Sequence, residues 1–452
     1  MRNRREDRGK REETPGTAPG GTPGEPPREE PREEPREEPG KAAVRVLESG
    51  AGRADPAGSI AGAPRPSRPR GPARALPRAT PPPWLPRFRG PLHDARTATA
   101  VGRWLGLAMA VCFLTGLVSH GLQTPPGWLA PHLPARPVAG YRVSQGLHVA
   151  SGIAAIPLLL VKLWTVYPRL FAWPPARSVR HALERLSIGA LVGSALLEVF
   201  LGLVNIAQWY PWPFSFVPVH WALAWVLTGA LLLHVAVKAP EIARHWRRDR
   251  TGADPQAAER RALLRGVGAA VGTLTVVTAG QSFGPLRPLT LLAPRRPDGR
   301  AQGVPVNRTA AEAGVRGLDV VSWRLQVSGP RAFALSLAEL QGLAQHTVRL
   351  PIACVEGWSV SAEWTGVRLR DLLERADAPA GSFLRVVSLQ THGGYRVMEM
   401  GPHYASDPAT LLALRLNGEE LSWDHGYPAR IIAPNRPGVW QTKWVSRIEV
   451  LR

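Results

Sequence analysis

The sequence predicts a multi-domain chain: an all-α transmembrane helical bundle of five spans, followed by an α+β domain and preceded by a disordered tail. Three observations predict it. At 452 residues the chain is longer than the ~100–200 residues of an ordinary domain. Its mean hydropathy of -0.11 averages unlike parts, because 16 Trp and 44% apolar residues stand beside 45 Gly and 46 Pro. Five apolar runs of the length of a membrane span then follow one another in its middle third.

The tail, residues 1–95, holds 19 of the 46 prolines and repeats Pro-Arg-Glu-Glu from Pro27 to Glu38. With 19 basic and 14 acidic residues and almost no large side chains to bury, it cannot offset the entropy of ordering itself. It is predicted to be disordered and cytoplasmic. No apolar run follows its first charges, so it does not read as a signal peptide.

Residues 96–285 are predicted to form the bundle. Val101–Leu122, Gly146–Tyr167, Leu186–Ala207, Val219–Ala239 and Leu263–Phe283 each match the ~20 residues that cross a hydrocarbon layer of about 30 Å as helix. Arg169, Arg177, Arg180 and Arg185 fall between the second and third runs, and Lys238, Arg244, Arg247, Arg248, Arg250, Arg260 and Arg261 around the loop between the fourth and fifth. Those loops are assigned to the cytoplasm, since basic residues stay inside. The opposite loops carry only Arg136 and Arg142, or no charge at all, and five crossings then place the chain beyond Pro285 outside the cytoplasm. The same topology accounts for much of the net charge of +21. A basic chain invites a nucleic-acid reading, but these cations lie in loops and tail, with no recognition helix or stacking aromatics beside them, and no nucleic-acid partner is expected.

After a linker, 286–303, residues 304–452 are expected to be globular. Alternation at Trp323–Val327, Leu384–Leu389, Arg430–Ala433 and Ile448–Leu451 predicts strands, and Ser336–Leu343 and Leu369–Ala376 read as short helices. The only cysteines, Cys112 and Cys354, lie one in each part, which excludes a disulfide framework.

Histidines inside a span are costly and usually functional, and facing imidazoles hold haem iron. His220 and His234 share the fourth run, 14 residues and about 21 Å apart, close to four full turns, so their rings share a face at opposite depths. His148 lies level with His220, and so does His120; His234 has no evident partner. Capping or water-bridging histidines are the alternative reading. The arrangement resembles the membrane cytochrome b subunits of the formate dehydrogenase gamma-subunit type. That resemblance implies a haem b held by His148 and His220, with His120 and His234 as further candidate ligands to iron and a second haem b as an open option.

On spacing alone, Cys354 reads equally as a buried inert thiol or as a soft metal ligand. Its context decides. Cys354-Val-Glu-Gly-Trp-Ser359, Trp364-Thr-Gly366, Asp424-His-Gly-Tyr-Pro-Ala-Arg430 and Gln441-Thr-Lys-Trp444 resemble, in order, the molybdopterin domain of the sulfite oxidase family, above all its bacterial extracytoplasmic branch typified by the periplasmic methionine-sulfoxide reductase. The resemblance implies a molybdenum-molybdopterin cofactor with Cys354 as catalytic thiolate on the metal. It implies Asn307, Arg308, His392, His425, Arg430, Gln441, Thr442 and Lys443 as cofactor contacts. Sulfite-oxidising members carry an arginine-rich segment after their cysteine; here Val355, Glu356, Gly357 and Trp358 follow, which turns the expected substrate towards a neutral S-oxide or N-oxide.

The expectation is therefore a multi-pass enzyme of the cell membrane, set in the lipid bilayer. It takes electrons from the membrane quinone pool through haem b to an extracytoplasmic molybdenum centre, where a small-molecule substrate is reduced. The alternatives are a sulfite-type oxidase that donates electrons to the respiratory chain, and a non-catalytic haem carrier or scaffold.

Overall fold

The computed structural model describes residues 90–452, apart from 174–176, 247–253, 294, 296–300, 316 and 452. The predicted disordered tail lies outside the described residues except for its last six. Among the described residues five helices are long and apolar enough to cross a membrane. They are α1 (Ala95–Gln123), α2 (Gly140–Leu170), α3 (Val179–Ile206), α4 (Phe216–Trp246) and α5 (Ala257–Ala279).

All five begin before the apolar run that announced them, by three to seven residues. Hydropathy stops at the first polar side chains, whereas the backbone ladder continues to the next cap. Asp94 accepts from the Thr97 amide and starts α1, and the Ser178 hydroxyl accepts from the His181 amide and starts α3. Leu105, Leu158, Leu159, Ala195, Leu227 and Val267 form the centre of the bundle.

The C-terminal part has β1 (Arg324–Ser328), β2 (Phe333–Ser336), α6 (Leu337–Gly342), β3 (His346–Ala353), β4 (Ser359–Arg368) and α7 (Leu369–Arg375). It continues with β5 (Phe383–Ser388), β6 (Val397–Met400), α8 (Pro402–Ala405), β7 (Leu411–Leu416), β8 (Glu419–Glu420), β9 (Arg430–Ile432) and β10 (Val445–Leu451). The expected strands and short helices all appear within one to three residues of their predicted bounds. One sheet runs β2-β1-β10-β5-β6; the other runs β3-β4-β7-β8, with β9 also on β7. β1 and β10 pair in parallel, Gln326 opposite Arg447, and the remaining pairs are antiparallel. Alternation buries Leu325 and Val327 from β1 with Val386 and Ile448 in one core, and β3, β4 and β7 bury Leu350, Trp364 and Leu416 in another.

Residues Ala75–Arg452 make one compact unit. The helices and the sheets are therefore packed on each other. Their contacts include the β3–β4 hairpin, which carries Cys354, and the loop after β9, which leads to Gln441, Thr442 and Lys443.

Candidate functional site

Cys354 ends β3 in a tight hairpin. Its amide donates to the Trp358 carbonyl at 2.9 Å, and the Gly357 amide donates back to the Cys354 carbonyl at 3.1 Å. Gly357 has φ +87, and a Cβ there would stand 2.8 Å from Val149 of α2, so both backbone and neighbour call for glycine. Cys354 is buried, and burial, with Glu356 next, pushes its thiol up to about 12. Asn307 Nδ2 lies 2.6 Å from Cys354 Sγ, and Asn307 Oδ1 accepts from Trp358 Nε1 at 2.9 Å. A protonated thiol held here is inert; a bound cation would favour the thiolate that ligates it.

Around the thiol the domain buries cations. Arg430, 3% exposed, donates to the carbonyls of His425 and Gln441 at 3.1 and 3.2 Å and packs over Trp364. Its Nε is buried with no partner among the described residues. Lys443 Nζ donates to the carbonyls of Arg308 and Asp424 at 2.6 and 2.8 Å. Burial, reinforced by Arg430, pushes Lys443 down to about 7, and burial alone pushes Arg430 down to about 9. Carbonyl partners cannot neutralise these charges, so the set is suited to an anion such as a phosphate.

The chain reaches this arrangement through a left-handed Gly426 after the short turn Trp423–His425. A Cβ at Gly426 would stand within 2.9–3.1 Å of Lys443. His425, Gln441 and Thr442 are buried, and Gln441 braces the loop after β9 by pairing both ends of its amide with Ala433. Arg308 lies against Gly393, and His392 is exposed, its ring against Gly314 and 3.1 Å from Thr391 Oγ1. The sequence reading passed over Tyr395, next to this loop and close enough to Cys354 for their charges to interact. An aromatic two residues beyond Gly393 was the available signal.

In the bundle, α2 and α4 bring His148 and His220 together with ring centroids 6.1 Å apart and planes at 86°. An iron held by two imidazole nitrogens at about 2 Å each would set centroids about 6 Å apart, so the spacing fits a metal between the rings. Both rings are also held from behind. His148 Nδ1 donates to the Cys112 carbonyl at 2.8 Å, and His220 Nδ1 stands 2.5 Å from Glu198 Oε2 on α3. That leaves each Nε2 for a ligand, the usual arrangement of metal-binding histidines. His120 instead stacks flat on Trp221 at 3.7 Å. His234 lies deeper along α4, within electrostatic reach of Lys162, Lys238, Glu184 and Glu241. Glu198, the residue behind His220, was not singled out from sequence, although a lone carboxylate in an apolar run is itself a signal.

The two centres are joined by contacts around the Cys354 hairpin. Gln145 of α2 donates to the Val355 carbonyl at 2.8 Å, Ser282 donates to the Gly357 carbonyl at 3.1 Å, and Arg142 donates to Ser361 at 3.0 Å. Gln208, between α3 and α4, donates to Glu356, whose other oxygen lies 3.4 Å from Arg295. Asn435, with φ +52, receives the Tyr141 amide at 2.6 Å, donates its side chain to the Pro134 carbonyl and its amide to Val138.

Residues 312–452 match the family described as oxidoreductase molybdopterin binding domain. The C-terminal part is a molybdopterin-binding, sulfite oxidase-like domain. Among curated relatives, the chain is 33% identical to the sulfite oxidase of Gallus gallus over 28% of this chain and 35% of that protein. It is 30% identical to a protein-methionine-sulfoxide reductase catalytic subunit of Xanthomonas axonopodis over 31% of this chain and 49% of that one. It is 29% identical to a putative protein-methionine-sulfoxide reductase subunit of Azospira oryzae over 35% of this chain and 61% of that one. The chain thus spans from about a third to three-fifths of these relatives' length. An oxidoreductase that uses the molybdenum cofactor follows for the molybdopterin domain, and the buried cations around Cys354 suit the anionic group that such a cofactor brings.

Proposed function

We propose that the chain is a membrane-anchored molybdenum-dependent oxidoreductase that draws electrons from membrane quinol and reduces a neutral S-oxide or N-oxide outside the cytoplasm. One observation carries this reading. His148 and Val149 are consecutive in α2; His148 faces His220, while Val149 lies against Gly357, three residues after Cys354. A haem-type pair and a molybdenum-type thiol thus sit on the two sides of a single helical turn, a separation suited to passing electrons between them.

In this reading Cys354 holds the metal, and Asn307 orients the sulfur. Arg308, Arg430 and Lys443 balance the charge of the pterin phosphate, while His425, Gln441 and Thr442 shape its loop, and His392 with Tyr395 borders the open side. His148 and His220 hold one haem b. Molybdenum, when bound, supplies the two-electron oxygen-atom chemistry. The chain's own part is to bind, orient and exclude water: the hairpin is sealed by Gln145, Ser282 and Gln208, and the exposed edge at Tyr395 is left for substrate. Glu356 takes the place after the cysteine where sulfite-oxidising relatives place arginine. It is 6% exposed and is held by Gln208 and Arg295, so it offers an oxyanion no welcome. The cytoplasmic position of the basic loops rests on their charge.

The test is a spectrum and a metal assay on the purified full chain. One molybdenum and one haem per chain are expected, with dithionite-reduced haem reoxidised by methionine sulfoxide or dimethyl sulfoxide. Reduction of the oxidised haem by sulfite, with no response to an S-oxide, would reverse the direction of the reaction. Iron without molybdenum would leave a bare electron carrier.

A further inference from the structure

We propose that Glu198 is the positioning residue of the haem site: its carboxylate fixes His220 through Nδ1 and supplies a buried negative charge that favours the oxidised iron. The inference rests on the assignment of a haem b to His148 and His220.

Glu198 lies in α3 between the apolar neighbours Ala195 and Leu201 and is 8% exposed. A carboxylate inside an apolar bundle is costly unless something balances it. Its only ion-pair partner among the described residues is the His220 ring, whose Nδ1 lies 2.5 Å from Oε2; both this Nδ1 and Glu198 Oε1 are buried without a well-aligned hydrogen bond. No Lys or Arg among the described residues pairs with it. A neutral imidazole offers one N–H and no charge, so the carboxylate is under-balanced as it stands. A ferric haem would place a positive centre on the far side of the His220 ring and complete a carboxylate–histidine–iron line, the arrangement in which an outer partner fixes ring orientation and raises ligand basicity.

The two ligands are backed differently. His148 leans on a neutral carbonyl, Cys112 O at 2.8 Å, with Cys112 Sγ at 3.5 Å, whereas His220 leans on a carboxylate that also lies within electrostatic reach of His148. One-electron reduction of a haem held here would lower the charge of its iron by one, the quinol losing one electron and one proton for each such step. A fixed carboxylate behind the ligand opposes that loss. Glu198 would thereby lower the midpoint of a haem held by His148 and His220 and favour release of its electron.

The experiment is a redox titration of the full chain in lipid nanodiscs, with haem content and the low-spin ferric resonance spectrum measured on the same samples. Glu198→Gln keeps the shape and an acceptor for Nδ1–H but removes the charge, and Glu198→Asp keeps the charge and shortens the reach. The Gln variant is expected to retain haem and to shift its midpoint upward by about 59 mV or more, the equivalent of a tenfold change in a one-electron equilibrium. The Asp variant is expected to keep the low midpoint while its resonance positions move with ring orientation. Should the Gln variant lose its haem, an Asp variant with haem and a low midpoint supports the proposal. A Gln variant with haem and an unchanged midpoint overturns it, as does an Asp variant that rises as far as Gln. Wild-type protein without haem overturns the haem assignment itself, and the haem assay separates that failure from the others.

Discussion

The helical bundle turns Leu114, Leu186 and Leu232 outward, buries Glu198 and leaves His148 and His220 half-buried, whereas the sheet domain buries Trp364, Leu369 and Leu411 in its cores. At their centres, however, the two regions converge. The bundle balances its site with a single carboxylate behind one ligand, and the sheet domain balances its own with buried cations, Arg430 and Lys443, whose hydrogen bonds go to backbone carbonyls. Each centre carries the charge opposite to that of the group proposed for it, a cationic iron in one and an anionic pterin in the other. The difference teaches that an orphaned buried charge reports the sign of its ligand whether the surroundings are lipid-like or water-soluble.

The sharpest way to break that comparison is to remove one centre and ask whether the other survives. Cys354→Ala should abolish molybdenum binding and S-oxide reduction while leaving the haem spectrum; His220→Ala should remove the haem and quinol-driven turnover while leaving molybdenum and turnover with an artificial reduced dye. Loss of both cofactors in either variant would mean that the centres are not separate.

A smaller effect sharpens the charge argument. Burial lowers Lys443 from 10.5 to about 7, so the folded protein resists a proton that the unfolded chain accepts. Stability of the cofactor-free protein should therefore be fully present above about 10.5 and fall as pH drops towards 7. Lys443→Met should flatten that slope, and so should loading the cofactor, whose phosphate restores a partner to the ammonium. Melting curves of loaded and unloaded protein across this window check it; equal slopes would mean that no anion sits beside Lys443.

The smallest effect concerns the join. Gly357→Ala adds a methyl 2.8 Å from Val149 at a φ of +87, and should cost about 1–3 kcal/mol of stability. Val149→Ala, which vacates the space, should restore part of it. No recovery in the double variant would place the strain in the backbone alone.

How much of this was legible in the sequence follows from the same contrast. In the bundle a polar residue is an exception, so His148 and His220 stand out; depth sets both His148 and His120 level with His220, and the cytochrome b resemblance selects His148. Glu198 is marked in the sequence only as a lone carboxylate in an apolar run, and nothing there ties it to His220 on the next helix. In the sheet domain strands follow from alternation, and Cys354, Arg430 and Lys443 follow from short words in order. The cradle does not, because it depends on which carbonyls fold towards them. The docking is the least legible part: Asn435 meets Tyr141 across 294 residues of sequence through a backbone amide, and a backbone amide leaves no mark in composition. Helix ends were blurred for a related reason, since Asp94 and Ser178 set them by capping while hydropathy fades earlier.

The parallel pairing of β1 with β10 sets an order of events. β10 lies in the middle of its sheet, between β1 and β5, yet it is among the latest segments of the domain to leave the ribosome. This sheet cannot close until residues 445–451 have emerged, about 170 residues after the last long helix. At about 5–20 residues per second this gives the helices a lead on the order of ten seconds or more. The sheets then close after the helices have formed, with the Tyr141 amide of α2 available to Asn435 from the start.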